Sequence, residues 1–264
     1  MSSYHIRALK MGETIVPRAE LYWMTHLTGW ETITFWAFLI ENEERRILLN
    51  TGFPEDFSAL HDHWTSWARA ATGEEGHVPV VGRDNLIEQA LAAHNLGTEQ
   101  IDEILVTPLT AYATGGLDRF SRARIWISRR GWVDFHAPDP EIPQLPRHIV
   151  FPPHVLHYLV GEAAGRVQLL EDAEAEILPG VRAWFCGAHH RSSMVYLVET
   201  AGGRVALTDA VFTYRNYEER IPLGLSESLE EHYRLFARLA RTADIIVPLY
   251  DPLVAERYPD GIIT

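Results

Sequence analysis

The side chains best suited to acid–base chemistry lie in the second half of the chain. His189 is followed by His190, Ser192 and Ser193, and Asp209 comes after a later apolar run. A histidine oriented by a carboxylate can transfer protons near neutral pH. The same residues can equally form an inert, hydrogen-bonded pair, and both interpretations stay open. The chain has no G-x-S-x-G motif, which disfavours a Ser-His-Asp triad.

The elements that must position these side chains follow from the hydrophobic pattern. Strands are predicted at residues 4–10, 35–39, 46–49, 101–106, 124–128, 166–170, 176–178, 181–186, 194–199, 204–207 and 245–248. Helices are predicted at residues 84–93, 130–136, 155–162 and 229–241, and a helical or irregular segment at 55–71. Ser228 and Glu231 indicate a capping box for the helix at 229–241.

Strand-rich halves that are each followed by helices predict the fold class. We expect a mixed α/β (α+β) protein in which two sheets pack together with helices outside, a four-layer αββα sandwich. Residues 1–264 are enough for one sizeable domain, and we expect a single one. Residues 137–153, which include six prolines, are predicted to form a surface loop.

The composition of the chain limits the kinds of partner that we expect it to bind. The net charge of −13 disfavours nucleic acid and anionic membranes, which need a basic surface, and favours neutral or cationic small molecules. No signal segment and no apolar run long enough to span a bilayer is found. The only cysteine, Cys186, fits a reducing compartment. We therefore expect a cytoplasmic protein.

Residues 106–118 carry the most specific motif, because they read V-T-P-L-T-A-Y-A-T-G-G-L-D. This segment resembles T-H-L-H-x-D-H-x-G-G-L-D, the metal-binding loop of the metallo-β-lactamase-fold hydrolases. Further resemblances follow in the same order, at residues 50–52, 178–200, 207–210 and 247–252. They are closest to the lactonase branch, which includes the acyl-homoserine lactonases, and they imply the metallo-β-lactamase fold.

The same resemblance implies that most ligands of a dinuclear metal site are missing. Seven ligand positions are implied, of which His189 and Asp209 keep a ligand. The other five are occupied by Pro108, Thr110, Tyr112, Ala113 and Tyr250. Zinc sites use three or four N, O or S ligands, so we expect no metal and no cofactor. A relocated mononuclear site, built from His189, Asp209 and another histidine, remains a less favoured alternative.

Two other histidine pairs are interpreted as surface residues rather than as metal ligands. His61 and His63 are expected on a solvated helix face, and His154 and His157 on a capped surface turn.

Candidate catalytic residues are His189, Asp209, Tyr112 and Tyr250, because a phenol can donate to a substrate oxygen in place of a metal. Both tyrosines can equally be packing residues with a hydroxyl partner. Candidate substrate-binding residues are Asn50, Thr110, His190 and Phe212. Phe212 stands where lactonases have a tyrosine near the substrate carbonyl. Four tryptophans are expected near an apolar pocket or a dimer surface, namely Trp23, Trp30, Trp64 and Trp67.

Two hypotheses on function follow. The first is a non-catalytic protein that binds a small-molecule ligand or pairs with another subunit, as a homodimer or as a heterodimer with an active relative. The second is a metal-independent hydrolase that opens a lactone, ester or cyclic amide with His189 and Asp209.

Overall fold

Two sheets organise the chain in the computed structural model, which describes residues 3–73, 81–142 and 144–264. The first sheet has the order β1 (His5–Pro17), β2 (Trp30–Glu41), β3 (Arg46–Leu49), β4 (Glu103–Leu105), β5 (Arg124–Ser128) and β6 (Val167–Leu170). The second has the order β11 (Ile245–Pro248), β10 (Gly203–Thr208), β9 (Met194–Thr200), β8 (Val181–Phe185) and β7 (Ala175–Leu178).

Strand direction changes within each sheet. The strands from β1 to β3 pair antiparallel, and those from β3 to β6 pair parallel. In the second sheet β10 and β11 are parallel, whereas the strands from β7 to β10 are antiparallel. The residues from Ile33 to Ile40 of β2 are all buried. A continuous apolar run of this kind is typical of a strand covered on both faces.

Helices flank the two sheets and connect their strands. They are α1 (Arg18–Leu21), α2 (Ser58–Thr72), α3 (Ile87–Ala92), α4 (Ala111–Thr114), α5 (Arg129–His136), α6 (Arg147–Val150), α7 (Pro153–Val160), α8 (Tyr214–Glu218), α9 (Leu229–Thr242) and α10 (Leu253–Arg257). One core cluster joins residues of both sheets, and a second lies between the second sheet and α9. The expected four-layer αββα sandwich is confirmed.

Some local predictions are corrected by tertiary pairing. Strands β1 and β2 are longer than the predicted residues 4–10 and 35–39, because they pair with each other as far as Pro17 and Trp30. The predicted helix at 84–93 is a 3₁₀ turn followed by α3, since Leu86 between them is extended. The predicted loop at 137–153 contains α6, and Pro143 within it lies outside the described residues.

Helix α9 begins at the predicted cap, but only half of the expected capping box forms. The Glu231 backbone N–H donates to Ser228 Oγ at 3.3 Å. The Glu231 carboxylate instead accepts from the backbone N–H of Ala188 at 2.8 Å. The start of α9 therefore holds the loop that carries His189. Among the described residues, no helix is long and apolar enough to cross a membrane.

Candidate functional site

The candidate residues come together because they follow strand ends at one end of the sandwich. Asn50 comes after β3, and the loop with Thr107 comes after β4. From the second sheet, His189 comes after β8, Asp209 after β10 and Tyr250 after β11. Both sheets therefore contribute to one site, and the side chains in it fall into two groups.

The first group is a closed polar centre made of Asn50, Thr107, Ser193 and Asp209. The Thr107 and Ser193 hydroxyls each donate a short hydrogen bond to one carboxyl oxygen of Asp209. Thr107 Oγ1 accepts from the Met194 backbone N–H at 2.8 Å. The Asn50 amide accepts from the Thr107 N–H at 2.9 Å and donates to the Thr107 carbonyl at 2.7 Å. Asp209 is fully buried, so these bonds join the two sheets.

The pKa of Asp209 reflects its burial. Burial removes water from the carboxylate and raises its pKa to about 7, although the bonds from Ser193 and Thr107 act in the opposite direction. A carboxyl group in this setting is stabilised in its protonated form at acidic pH. It is also sealed from any substrate by the residues that hold it.

His190 belongs to the wall of this closed region. Its Nδ1 accepts from the Ser192 backbone N–H at 3.3 Å and lies 2.8 Å from Ser192 Oγ, which itself accepts from the Leu109 N–H at 2.8 Å. The acceptor role of Nδ1 assigns the ring proton to Nε2. Burial lowers the His190 pKa to about 3, so the ring is neutral.

His189 does not pair with Asp209, contrary to the predicted arrangement. Its Nδ1 donates to the Leu225 carbonyl at 2.8 Å, and its ring packs edge-on against Phe212 at 4.7 Å between centroids. Burial lowers its pKa to about 4. The pair cannot form because the Asp209 oxygens are engaged by Thr107 and Ser193, while Leu225 orients His189 away toward a cavity.

The second group of side chains lines that cavity, whose volume is about 80 Å³. We call it the aromatic cavity because of the rings in its wall, which are Trp30, Phe35, Trp64, Trp67, Tyr112, Phe212 and Tyr250. Ring centroids lie 5.8 Å apart for Phe35 and Trp64, and 4.5 Å apart for Phe212 and Tyr250. The other lining residues include Ile15, Glu20 and His189.

The two candidate tyrosines meet in this wall, with ring centroids 6.0 Å apart. Burial raises the pKa of Tyr112 to about 12 and raises that of Tyr250 as well, so both phenols keep their protons. Their hydroxyls lie near enough to influence each other's pKa. The Tyr250 hydroxyl nevertheless has no hydrogen bond of normal geometry among the described residues, and neither has that of Thr110. Tyr250 is only 3% exposed, so its hydroxyl is buried beside the Tyr112 phenol without a well-formed hydrogen bond.

Known proteins share the fold of this chain and part of its sequence. An N-acyl homoserine lactonase from Bacillus cereus is 27% identical over 191 residues, which are 72% of this chain and 68% of that protein. The structure of an N-acyl homoserine lactone hydrolase, with N-hexanoyl-L-homoserine bound at its catalytic metal centre, superposes with a TM-score of 0.76 and 19% identity. It covers 98% of this chain and 99% of that one.

A second structure, the dizinc quorum-quenching lactonase AidC, superposes with a TM-score of 0.67 and 11% identity over 99% of this chain and 90% of that one. No family model matches the chain. The chain has the metallo-β-lactamase fold and is similar to the N-acyl homoserine lactonases.

The two solved relatives named above hold a metal centre. Across residues 3–73, 81–142 and 144–264, no three His, Cys, Asp or Glu side chains are grouped so that they could hold a metal ion. Zinc sites take three or four such ligands. The other histidines do not supply them, since His61 and His63 lie on α2, and His154 is 3.8 Å from Asp118 on the α7 side.

Only some of the predicted site residues line the aromatic cavity. Among the candidate catalytic residues, His189, Tyr112 and Tyr250 line the cavity, whereas Asp209 does not. Among the candidate substrate-binding residues, Phe212 lines it, whereas Asn50, Thr110 and His190 do not. Three of the four highlighted tryptophans, all except Trp23, are in its wall.

Several residues of the site were not predicted from the sequence. Thr107 and Ser193 occur in the sequence motifs without a predicted role. Their hydrogen bonds to Asp209 depend on contact between the two sheets. Glu20 and Leu225 carried no signal, because one lies on a four-residue helix and the other in a loop. They become neighbours through a bond from the Leu225 N–H to the Glu20 carbonyl at 3.0 Å.

Proposed function

We propose that this lactonase-like protein has lost most of the metal ligands of its fold and binds a small molecule in the aromatic cavity without hydrolysing it. The observation that carries the proposal is the Tyr250 hydroxyl, which is buried in the cavity wall without a partner. A buried hydroxyl left unpaired costs about 1–3 kcal/mol. Such a cost is expected where a ligand oxygen or nitrogen completes the hydrogen bond.

The acid–base groups argue for binding rather than turnover. Asp209 is enclosed by Thr107 and Ser193 and does not reach the cavity. His189 reaches it, but a base with a pKa of about 4 is poorly matched to proton abstraction at neutral pH. Ser192 is 1% exposed and is bonded to Leu109 and His190, so it is not available as a nucleophile.

The proposed loss of ligands rests on both sequence and geometry. Five of the seven positions that the resemblance assigns to metal ligands hold other residues, and no metal-holding group of three occurs in the described part of the chain. Tyr112 and Tyr250 occupy two of these positions and stand in the cavity wall. We infer that a metal pocket has been replaced by an aromatic one.

The test measures metal and turnover on the same sample. The protein is purified after growth with zinc, iron and manganese, and its metal content is determined by elemental mass spectrometry. It is then incubated with N-hexanoyl-L-homoserine lactone, and ring opening is followed through proton release. We expect less than about a tenth of a metal equivalent, since two ligands hold zinc weakly, and no ring opening above the buffer rate. One or two retained equivalents, or chelator-sensitive turnover, would refute the proposal.

A metal-independent hydrolase is the second candidate. It is favoured by one observation, the fixed orientation of His189 in the cavity wall by its bond to Leu225. It predicts turnover of a lactone, ester or cyclic amide that chelators leave unchanged and that His189→Ala abolishes. Turnover that persists in His189→Ala would exclude His189 as its base.

A further inference from the structure

Glu20 is an unusual component of the aromatic cavity, because it is a carboxylate in a largely apolar wall. The indole N–H of Trp67 donates to Glu20 Oε1 at 2.9 Å and orients the carboxylate. Among the described residues, no arginine or lysine is found in an ion pair with Glu20. Partial burial raises the Glu20 pKa to about 7, and the Glu20–Trp67 contact lies at the exposed edge of the cavity, since Trp67 is 47% exposed.

Three indole rings share this wall with Glu20, those of Trp30, Trp64 and Trp67. Trp64 also continues into the deeper rings, since its centroid lies 5.9 Å from that of Tyr112. Aromatic faces attract cations, tryptophan most strongly, and the attraction grows when the cation is desolvated. Proteins bind quaternary ammonium groups in cages of aromatic rings, and this cavity has several indoles.

The charges around the cavity agree with a cationic occupant. No lysine or arginine is among the described residues of the wall, and His189 is neutral because burial lowers its pKa to about 4. The chain as a whole carries a net charge of −13, which raises the local concentration of cations. An anionic ligand would meet Glu20 without any positive partner.

The chemistry of the wall selects among cations. A guanidinium group has five N–H donors, and Glu20 is the one carboxylate among the lining residues. A metal ion needs several ligands, and Glu20 supplies only one carboxylate. A trimethylammonium group has no donors, and its methyl groups pack on rings, so burying it leaves no hydrogen bond unmade.

We propose that the aromatic cavity binds the head of a small alkylammonium compound, with Trp30, Trp64 and Trp67 contacting the cation and Glu20 as its counter-ion. This inference rests on the proposed function, because it names the ligand class of the same cavity. The Tyr250 hydroxyl then serves the neutral polar end of the ligand.

The experiment compares two compounds of nearly equal shape that differ in charge. Choline and 3,3-dimethylbutan-1-ol differ by the replacement of the quaternary nitrogen by carbon. Each is titrated into the full-length protein, and binding is followed by tryptophan fluorescence and by saturation-transfer NMR. We expect choline to bind at least tenfold more tightly than the alcohol, because only choline gains the cation–π and carboxylate interactions.

Variants test whether the preference for choline depends on Glu20. Glu20→Gln keeps an acceptor for the Trp67 indole and removes the charge, so we expect the preference for choline to fall to within about threefold while binding of the alcohol is unchanged. Glu256→Gln, at an exposed position, is the matched control and keeps the preference. If Glu20→Gln does not fold, as judged by circular dichroism, Trp67→Phe takes its place and weakens choline binding more than alcohol binding.

The outcomes separate this inference from the proposed function. Equal binding of choline and the alcohol, or an unchanged preference in Glu20→Gln, would overturn the inference and leave a binding cavity of another specificity. Failure of both compounds to bind would also overturn it. Neither compound has a bond that a lactonase could open, so the metal and lactone measurements test the proposed function independently.

Discussion

The polar centre and the aromatic cavity are built from the same loops, but they differ in whether their polar atoms have hydrogen-bond or charged partners. In the polar centre, both Asp209 carboxyl oxygens and the Asn50 amide have hydrogen-bond partners. In the aromatic cavity, the Tyr250 hydroxyl has none, and Glu20 has an indole partner but no counter-ion. The two regions are joined through residues 106–118, which contribute Thr107 to one and Tyr112 to the other.

The difference indicates which residues stabilise the fold and which face a ligand. A satisfied buried network contributes to stability and loses several kcal/mol when one member is removed. An unsatisfied group already costs free energy in the absence of a ligand, so its removal costs little. Substitutions in the polar centre are therefore expected to lower the free energy of unfolding, whereas removal of the Tyr250 hydroxyl is expected to leave it equal or raise it.

The largest effect is expected for Asp209→Ala. It leaves the Thr107 and Ser193 hydroxyls buried without an acceptor and opens a small cavity, so we expect a loss of about 5 kcal/mol in the free energy of unfolding. Urea denaturation at pH 6 measures it. Asp260→Ala, at an exposed position, is the control and should change little. A loss below about 1 kcal/mol would mean that the polar centre does not hold the two sheets together.

The pH dependence of stability comes next in size. The Asp209 pKa is raised from 3.8 to about 7 in the folded protein, so the fold retains a proton that the unfolded chain releases. Between these pH values the Asp209 contribution to the free energy of unfolding falls as pH rises, by up to about 4 kcal/mol in all. In Asp209→Asn this titration is absent.

Urea denaturation of wild type and Asp209→Asn at several values from pH 4 to pH 8 tests this sign. The stability of the wild type relative to Asp209→Asn should decrease with rising pH and level off above about pH 7. The comparison isolates Asp209, because the buried histidines titrate in both proteins. A difference that is constant with pH would show that Asp209 titrates near its ordinary value.

A smaller effect is expected for Ser192→Ala, at the edge of the polar centre. The substitution leaves the Leu109 N–H buried without its acceptor and removes a partner of His190, which costs about 2 kcal/mol. Ser121→Ala, at an exposed position, is the control for thermal unfolding. If the variant were as stable as wild type and had lost a measured hydrolase activity, Ser192 would have to be reconsidered as a nucleophile.

Much of the fold could be predicted because it depends on local pattern. Strands β3 and β5 have the predicted bounds, 46–49 and 124–128, since short apolar runs between turns leave little choice of register. Helix α9 begins at Leu229, directly after the predicted cap Ser228. The extra length of β1 and β2 depends on their pairing with each other, which a window of neighbouring residues does not contain.

The site was predicted less completely, for physical reasons. The motif frame identified Tyr112, His189, Asp209 and Tyr250, but not which of them share a cavity. That depends on where Thr107 and Ser193 donate, and on the bond that turns His189 toward Leu225. Glu20 is recognisable only once α1 has packed beside α2, where Trp67 donates to it. Contacts between distant segments decide these points.

The smallest effect, and the sharpest contrast, is expected for Tyr250→Phe. This variant removes a buried hydroxyl that has no partner, so stability should stay equal or rise by up to about 1 kcal/mol. Tyr196→Phe is the matched control, because the Tyr196 hydroxyl is buried and donates to the Val106 carbonyl at 3.0 Å, and its removal should cost about 1–2 kcal/mol. Both are measured by urea denaturation without ligand. A Tyr250→Phe loss as large as that of Tyr196→Phe would mean that the Tyr250 hydroxyl is already satisfied within the fold, and the distinction between the two regions would no longer hold.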